Sequence, residues 1–201
     1  HDAPVQVTHA NGDNTLDLVF VSRSATTGTP GIEHSILTLK DRVHPVFIDV
    51  HFRAHATTDV IEQWTELRNA GDTPVMVSRL DSAYWTMPDS EDLHLEWYDS
   101  RWAGEAAKPQ REKLGKGKRE LESLGGNRHI EGPVPVFALG FGAPPDEDKS
   151  PCMVASLAWS GGMRMVFNRD NNNQFAASTG VRHPGAIRVD AGGSLASPVC
   201  V

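Results

Sequence analysis

Cysteine is almost missing from this chain. Only Cys152 and Cys200 occur in 201 residues, which excludes a disulfide framework and leaves either one bridge or two buried thiols. Long apolar runs are missing too. No stretch approaches the roughly eighteen residues of a membrane-spanning helix, and no secretory hydrophobic segment opens the sequence. Positive charge is in deficit: 19 Lys and Arg stand against 26 Asp and Glu, a formal charge of −7, which argues against a general grip on nucleic-acid backbones. The GxSxG, GxGxxG, P-loop, HExxH and CxxC patterns are absent, and with them the usual signs of hydrolase elbows, nucleotide binding and zinc. No segment repeats at a period of roughly 20 to 50 residues, so propellers and solenoids are disfavoured. What remains is a chain with 39% hydrophobic residues, enough for a core, and with 18 Gly and 13 Pro, enough for many turns.

Period-two alternation dominates the first half. Val46, Ile48, Val50, Phe52 and Ala54 share one side of a strand, and Asp49, His51, Arg53 and His55 share the other. Leu16, Leu18 and Phe20 alternate likewise, as do Leu93, Leu95 and Trp97 against His94, Glu96 and Tyr98. Turn residues follow at short intervals: Asn11-Gly12-Asp13, Gly28 to Gly31, Asn69 to Asp72, and Pro88-Asp89-Ser90. Thr58 to Arg68 reads as a strand. Ser160-Gly161-Gly162, between Val154–Trp159 and Met163–Phe167, reads as a hairpin turn, because Gly-Gly accepts the positive φ of tight primed turns. Ala103 to Arg119 is basic and broken by Pro109, Gly115 and Gly117, so it reads as a long solvated loop. Ala143 to Pro151 reads as an acidic loop. The expected fold is all-β, an antiparallel β-sandwich.

Chemistry is scarce. His51 and His55 would lie about 13 Å apart along a straight strand, too far for one metal ion, so they read as solvent-facing histidines and no metal is expected. Asn168, Asp170 and Asn172 alternate as in a calcium loop. However, Asn173 stands where such a loop needs Gly, and Thr179 stands where it needs a bidentate Glu; a hydrated turn is the reading. Asp81, Glu91, Asp92, Glu96, Asp99 and Glu105 cluster in sequence without the fixed separation that a glycosidase pair needs, and read mostly as surface carboxylates. The basic stretch from Lys108 to Arg119 lacks interleaved aromatics, which speaks against nucleic acid. Trp85, Trp97, Tyr98 and Trp102 suit either a sandwich core or a platform for sugar rings, with core packing favoured.

The order of several short segments resembles the N-terminal β domain of glycoside hydrolase family 36, the bacterial and fungal α-galactosidases. Ala3-Pro4-Val5-Gln6-Val7 and then Leu16 to Ser22 resemble the family's early strands. Asn69-Ala70-Gly71-Asp72-Thr73-Pro74-Val75 is similar to its "N-x-G-D-x-P-V" turn, after the strand opened by Asp59-Val60-Ile61. Arg101-Trp102-Ala103 lies in a segment like "G-x-W-x-R-E", running to Glu105. Pro135 to Leu139 and Leu157 to Gly161 resemble later strands, and Gly192, Ser194 and Pro198 resemble the "G-x-S-x-x-x-P" segment that leads into a barrel. Leu124-Gly125-Gly126 stands where the family usually has Arg-Gly, Gly104 where it has Arg, and Val199 where it has Glu. A diverged subgroup or an α-N-acetylgalactosaminidase is the alternative these departures raise.

The resemblance implies a β supersandwich of the galactose-mutarotase type, with residues 1–201 as one non-catalytic domain. It implies further strands before Ala3-Pro4 and, after residue 201, a (β/α)₈ barrel whose two Asp residues carry a retaining mechanism. The chain is then a fragment that holds no catalytic residue, needs no cofactor and hydrolyses nothing by itself. Its implied partners are the barrel of the same parent chain, an α-galactoside, and further copies in a homo-oligomer. Trp102, at the "G-x-W" position, is the expected substrate-binding residue. The competing expectations are an independent lectin-like carbohydrate-binding module and a purely structural scaffold.

Overall fold

The structure is a computed structural model, and it describes residues 3–88, 92–104, 106, 108–125, 132–146, 148, 151–172 and 174–201. Among them there is no helix. The strands in chain order are β1 Val5–Thr8, β2 Leu18–Thr29, β3 Ile32–Asp41, β4 Val46–His55, β5 Val60–Asn69, β6 Val75–Pro88, β7 Leu93–Ser100 and β8 Lys108–Lys113. They continue as β9 Gly117–Ser123, β10 Gly132–Phe141, β11 Cys152–Ser156, β12 Met163–Arg169, β13 Gln174–Val181, β14 Ile187–Val189 and β15 Ser194–Ala196. The fold class is the expected one, all-β with antiparallel sheets packed as a sandwich. The chain divides into two compact units, Asp2–Ala83 with His183–Val201, and Tyr84–Arg182.

In the first unit β2 to β5 form an antiparallel meander, and β15 joins the open side of β5 to give the order β15-β5-β4-β3-β2. Its apolar face meets a second layer in which β1 and β14 both pair with β6. Val7 of β1, Ile48 of β4, Leu67 of β5 and Val77 and Leu80 of β6 are fully buried between the layers. Each such side chain stabilises the unit by about 1.5–3 kcal/mol relative to exposure. The strand expected at Thr58 to Arg68 is β5, whose Val60, Ile61, Trp64 and Thr65 favour a pleated surface.

The Asn69–Val75 turn is fixed by one side chain. Asn69 Nδ2 donates to the carbonyls of Thr73 (2.8 Å), Asp190 (3.1 Å) and Val189 (3.2 Å), while its Oδ1 accepts from the Gly71 N–H at 3.1 Å. Gly71 is required by close approach, since a Cβ there would stand 2.9 Å from Pro45 Cγ. At the β2–β3 turn Gly31 takes a φ of 77°, as the turn reading requires, but Gly28 lies inside β2.

The second unit has the sheets β11-β10-β7-β8 and β13-β12-β9. Phe137 of β10 meets Phe167 of β12 edge to face at 4.9 Å and Trp85 at 6.2 Å, so the aromatic core spans both sheets. Two expectations are corrected here. Lys108 to Arg119 is not a loop but β8 and the start of β9. β8 is an edge strand, the one kind of sheet position that tolerates Pro109, and its charged residues pair across the ladder rather than facing a core. The hairpin at Ser160-Gly161-Gly162 is likewise absent: β11 pairs with β10, whereas β12 pairs with β9 and β13. Neither glycine has positive φ. They permit close approach instead, Gly161 beneath the Trp159 indole and Gly162 against the Arg182 carbonyl. The turn expected at Pro88-Asp89-Ser90 falls on Asp89 and Ser90, which lie outside the described residues.

Candidate functional site

The aromatic residues singled out by the sequence separate once they are placed. Trp97 is buried, donates from Nε1 to Asp99 Oδ1 at 3.1 Å, and carries the Arg119 guanidinium over its ring. Trp85 leans on Phe137, and Tyr98 donates its hydroxyl to Glu96 Oε1 at 2.8 Å. Trp102 is the exception, 80% exposed. It sits at the second position of a turn closed by Gly104 N–H donating to the Arg101 carbonyl at 3.0 Å. The next residue, Ala103, has φ 55°, and Ala106 has φ 49°. That left-handed region suits glycine, and an alanine held there stores of order 1 kcal/mol or more of strain. The loop therefore presents an uncovered indole on a backbone fixed against its own preference.

The carboxylates do not form a catalytic pair among the described residues. Asp81 is buried and bound to Arg79 by two hydrogen bonds, of 2.6 and 2.9 Å. Glu96 is buried beneath Arg111 and Tyr98, which corrects the expectation of a surface carboxylate for both. Asp92 pairs with Lys113, and its carboxyl is held below the ordinary range by that hydrogen bond and charge. Glu91 and Glu105 lie outside the described residues, as do Gly126 and Asn173. Asp170 Oδ1 accepts from the backbone N–H groups of Asn172 and Gln174, and Thr179 is buried in β13. Cys152 is exposed and Cys200 is buried.

His51 and His55 are placed differently from the solvent-facing pair expected. Strand register sets His51 opposite Ile36 of β3 and Trp64 of β5, and the covered face makes His51 only 9% exposed. Its Nδ1 lies 3.1 Å from Nε2 of His34, and its ring stacks on Trp64 at 4.6 Å. Arg53 covers Trp64 at 5.1 Å and holds Glu62 at 2.7 Å, which also binds His55 at 2.9 Å. Burial, and then the charge of His34, push His51 below the usual imidazole range. Beside this ladder, burial raises Asp49, but hydrogen bonds from Arg68 and Thr38 outweigh it and hold the carboxyl low. Arg53 and the imidazoles of His34 and His51 lie against the Trp64 ring.

A second histidine pair was not legible in the sequence. His9 and His44 stack at 3.5 Å and 15°. His44 Nε2 donates to Asp13 Oδ2 at 2.8 Å, which brings that carboxyl down to about 2. They border a cleft of about 280 Å³ shared with Asn11, Asp72 and Thr73. A larger cleft of about 560 Å³ runs along β1 against Leu16 and Leu18. Among the described residues no group of three or more His, Cys, Asp or Glu side chains could hold a metal ion.

Comparison with known proteins adds three findings. The model of the Glycosyl hydrolase family 36 N-terminal domain matches residues 1–186. No curated protein matches. Among solved structures, the α-galactosidase from Lactobacillus brevis is 17% identical with a TM-score of 0.87, and it is covered over 28% of its length by 100% of this chain. A variant of the α-galactosidase AgaA from Geobacillus stearothermophilus, solved with raffinose, gives 19%, 0.89 and 30%, and the galactosidase domain of AgaSK gives 17%, 0.87 and 29%. The chain thus spans less than a third of the length of each of these structures.

Proposed function

The chain belongs to the family of glycosyl hydrolase family 36 N-terminal domains, and on that premise we propose that residues 1–201 serve as the non-catalytic β-sandwich domain of an α-galactosidase. The reaction is carried by a (β/α)₈ barrel further along the same parent chain. This domain packs on the barrel, helps to shape the rim of the galactose pocket and supports a homo-oligomer. Family membership supports the first part of this reading. Trp102 supports the second, as an 80% exposed indole on a strained turn.

The role of Trp102 is apolar stacking on sugar or on barrel side chains. An aromatic contact of this kind is worth about 1 kcal/mol beyond its area. Trp102→Ala in the full-length enzyme therefore raises KM for an α-galactoside about fivefold, with kcat little changed. Unchanged kinetics in a correctly folded variant would reject the contact. Saturable galactoside binding by the 201-residue chain through Trp102 would favour a free-standing lectin-like module instead.

A further inference from the structure

The sheet β15-β5-β4-β3-β2 reaches further than the layer that covers it. Residues directly opposite one another in its ladders share a face, so its inner face is a series of rows. Leu39, Ile48 and Leu67 form a row over the core. The next row is Leu37, Val50 and Thr65, where Thr65 Oγ1 donates to the Ser82 carbonyl of β6 at 3.5 Å. Beyond it lie Ser35, Phe52 and Gln63, and then Glu33, Ala54 and Ile61. Among the described residues the core cluster takes no member from these last two rows. Phe52 is half-buried, Ala54 is exposed and Ile61 is 58% exposed. Leu37, Phe52 and Ile61 are diagonal neighbours next to Val50, so an apolar strip continues the core face past its cover. The margin toward β2 is polar: Arg23 Nη2 donates to Glu33 Oε1 at 3.4 Å and to Ser35 Oγ at 3.3 Å. An exposed apolar patch with a polar rim marks a contact surface.

The backbone points to what covers the strip. Ser194–Ala196 pairs with Arg68–Glu66, and Cys200 then exchanges both backbone hydrogen bonds with Gln63, at 2.7 and 2.8 Å. The last residues therefore run antiparallel along β5 toward Ile61, and Val201, 45% exposed, stands one step short of it. Size points the same way. A stable contact between separate proteins buries about 800 Å² on each side, with roughly 20–30 residues, far more than these few side chains offer. A partner tethered to Val201 needs less, because a short tether holds it at an effective concentration of millimolar order.

On the reading that a barrel follows in the parent chain, we propose that this strip is its seat. Leu37, Val50, Phe52 and Ile61 form the apolar contact through which the domain packs on the barrel. These four side chains carry no charge, so the barrel meets them with apolar side chains of its own.

The test is hydroxyl-radical labelling of the full-length enzyme, read by mass spectrometry, with each residue normalised to its own rate in the urea-unfolded protein. Phe52 and Ile61 are protected as strongly as the buried Ile48, while Val43, 78% exposed on the turn between β3 and β4, stays labelled. Ile61→Asp lowers Tm of the full-length enzyme by several degrees, yet shifts that of the 201-residue chain by no more than about 2 °C, as an exposed substitution does. Open labelling of Phe52 and Ile61, or an Ile61→Asp enzyme as stable as its parent, overturns the proposal. Protection lost on dilution to the monomer assigns the strip to a second copy and overturns it as well. Hydrolysis of an α-galactoside by the same sample separates the two readings. An active enzyme with a labelled strip defeats only the seat, whereas a full-length chain without a barrel defeats the premise.

Discussion

Replacing Asn69 by alanine tests how the first unit is held closed. The side chain is 2% exposed and makes four polar contacts, three from Nδ2 to carbonyls and one from the Gly71 N–H to Oδ1. Two amide hydrogens serve three carbonyls, so these contacts are shared and do not sum as independent bonds. With a net worth of about 1 kcal/mol per hydrogen bond, and some repair by water at the exposed Thr73 end, the loss comes to about 2–3 kcal/mol. For a chain of this length each kcal/mol lowers Tm by about 2–4 °C, giving a drop of about 5–10 °C. Urea unfolding followed by circular dichroism reads the loss directly, provided the m-value is unchanged. A second variant sharpens the test. Asn69→Asp has the same shape but turns a carboxylate toward three carbonyls, which raises its folded pKa. It is therefore less stable than Asn69→Ala at neutral pH and recovers as pH falls and the group protonates. A cost below about 1 kcal/mol for alanine, or an aspartate variant as stable as the parent at pH 7, would refute the reasoning.

Other outcomes follow from the same geometry. Gly140→Ala places a Cβ 2.2 Å from the Ala143 carbonyl oxygen and 2.8 Å from Pro145 N, both backbone atoms, so it destabilises the second unit by about 3 kcal/mol in denaturant titration; a neutral substitution would mean that the loop after β10 moves freely. Phe137→Ala empties the edge-to-face cluster with Phe167 and Trp85 and costs about 3–5 kcal/mol by the same assay, whereas a loss under about 1 kcal/mol would place the core elsewhere. His9 and His51 are both held below the usual imidazole range, by burial first and a neighbouring imidazole second. The unfolded chain therefore takes up protons near pH 6.5 that the folded chain refuses, and stability falls as pH drops through that value until the folded pKa values are reached. His51→Gln flattens part of this slope, and identical Tm profiles between pH 7 and 5 would clear His51 of it.

The strands with one oily side were legible because period two is written into their residues, as in Val46, Ile48 and Leu67. β8 was not, because an edge strand held by Arg111–Glu96 and Lys113–Asp92 has no apolar side to show. The false hairpin at Gly161-Gly162 has a different cause. Glycine marks both sharp turns and tight approaches, and only the second applies there. The polar ladder was hidden for a third reason. His34, His51 and Trp64 become neighbours only when the register of β3, β4 and β5 is fixed, and no local window contains all three. The same holds for His9 and His44. Trp102 was singled out by the aromatic cluster and by the family resemblance, but its exposure was not legible, because it comes from a turn whose strained alanines carry no sequence signature.

The first unit is discontinuous, with Asp2–Ala83 completed by His183–Val201. During synthesis the β2–β5 meander leaves the ribosome long before its last partners exist. Until Ser194–Ala196 emerges, β5 keeps an open edge, and until Val189 and Asp190 emerge, Asn69 has only part of its hydrogen-bonding set. A nascent chain in this interval exposes an unfinished sheet, the kind of surface that pairs with the wrong strand or recruits a chaperone. A stop codon a few residues before β15 would thus injure strands made long before it rather than only those made last.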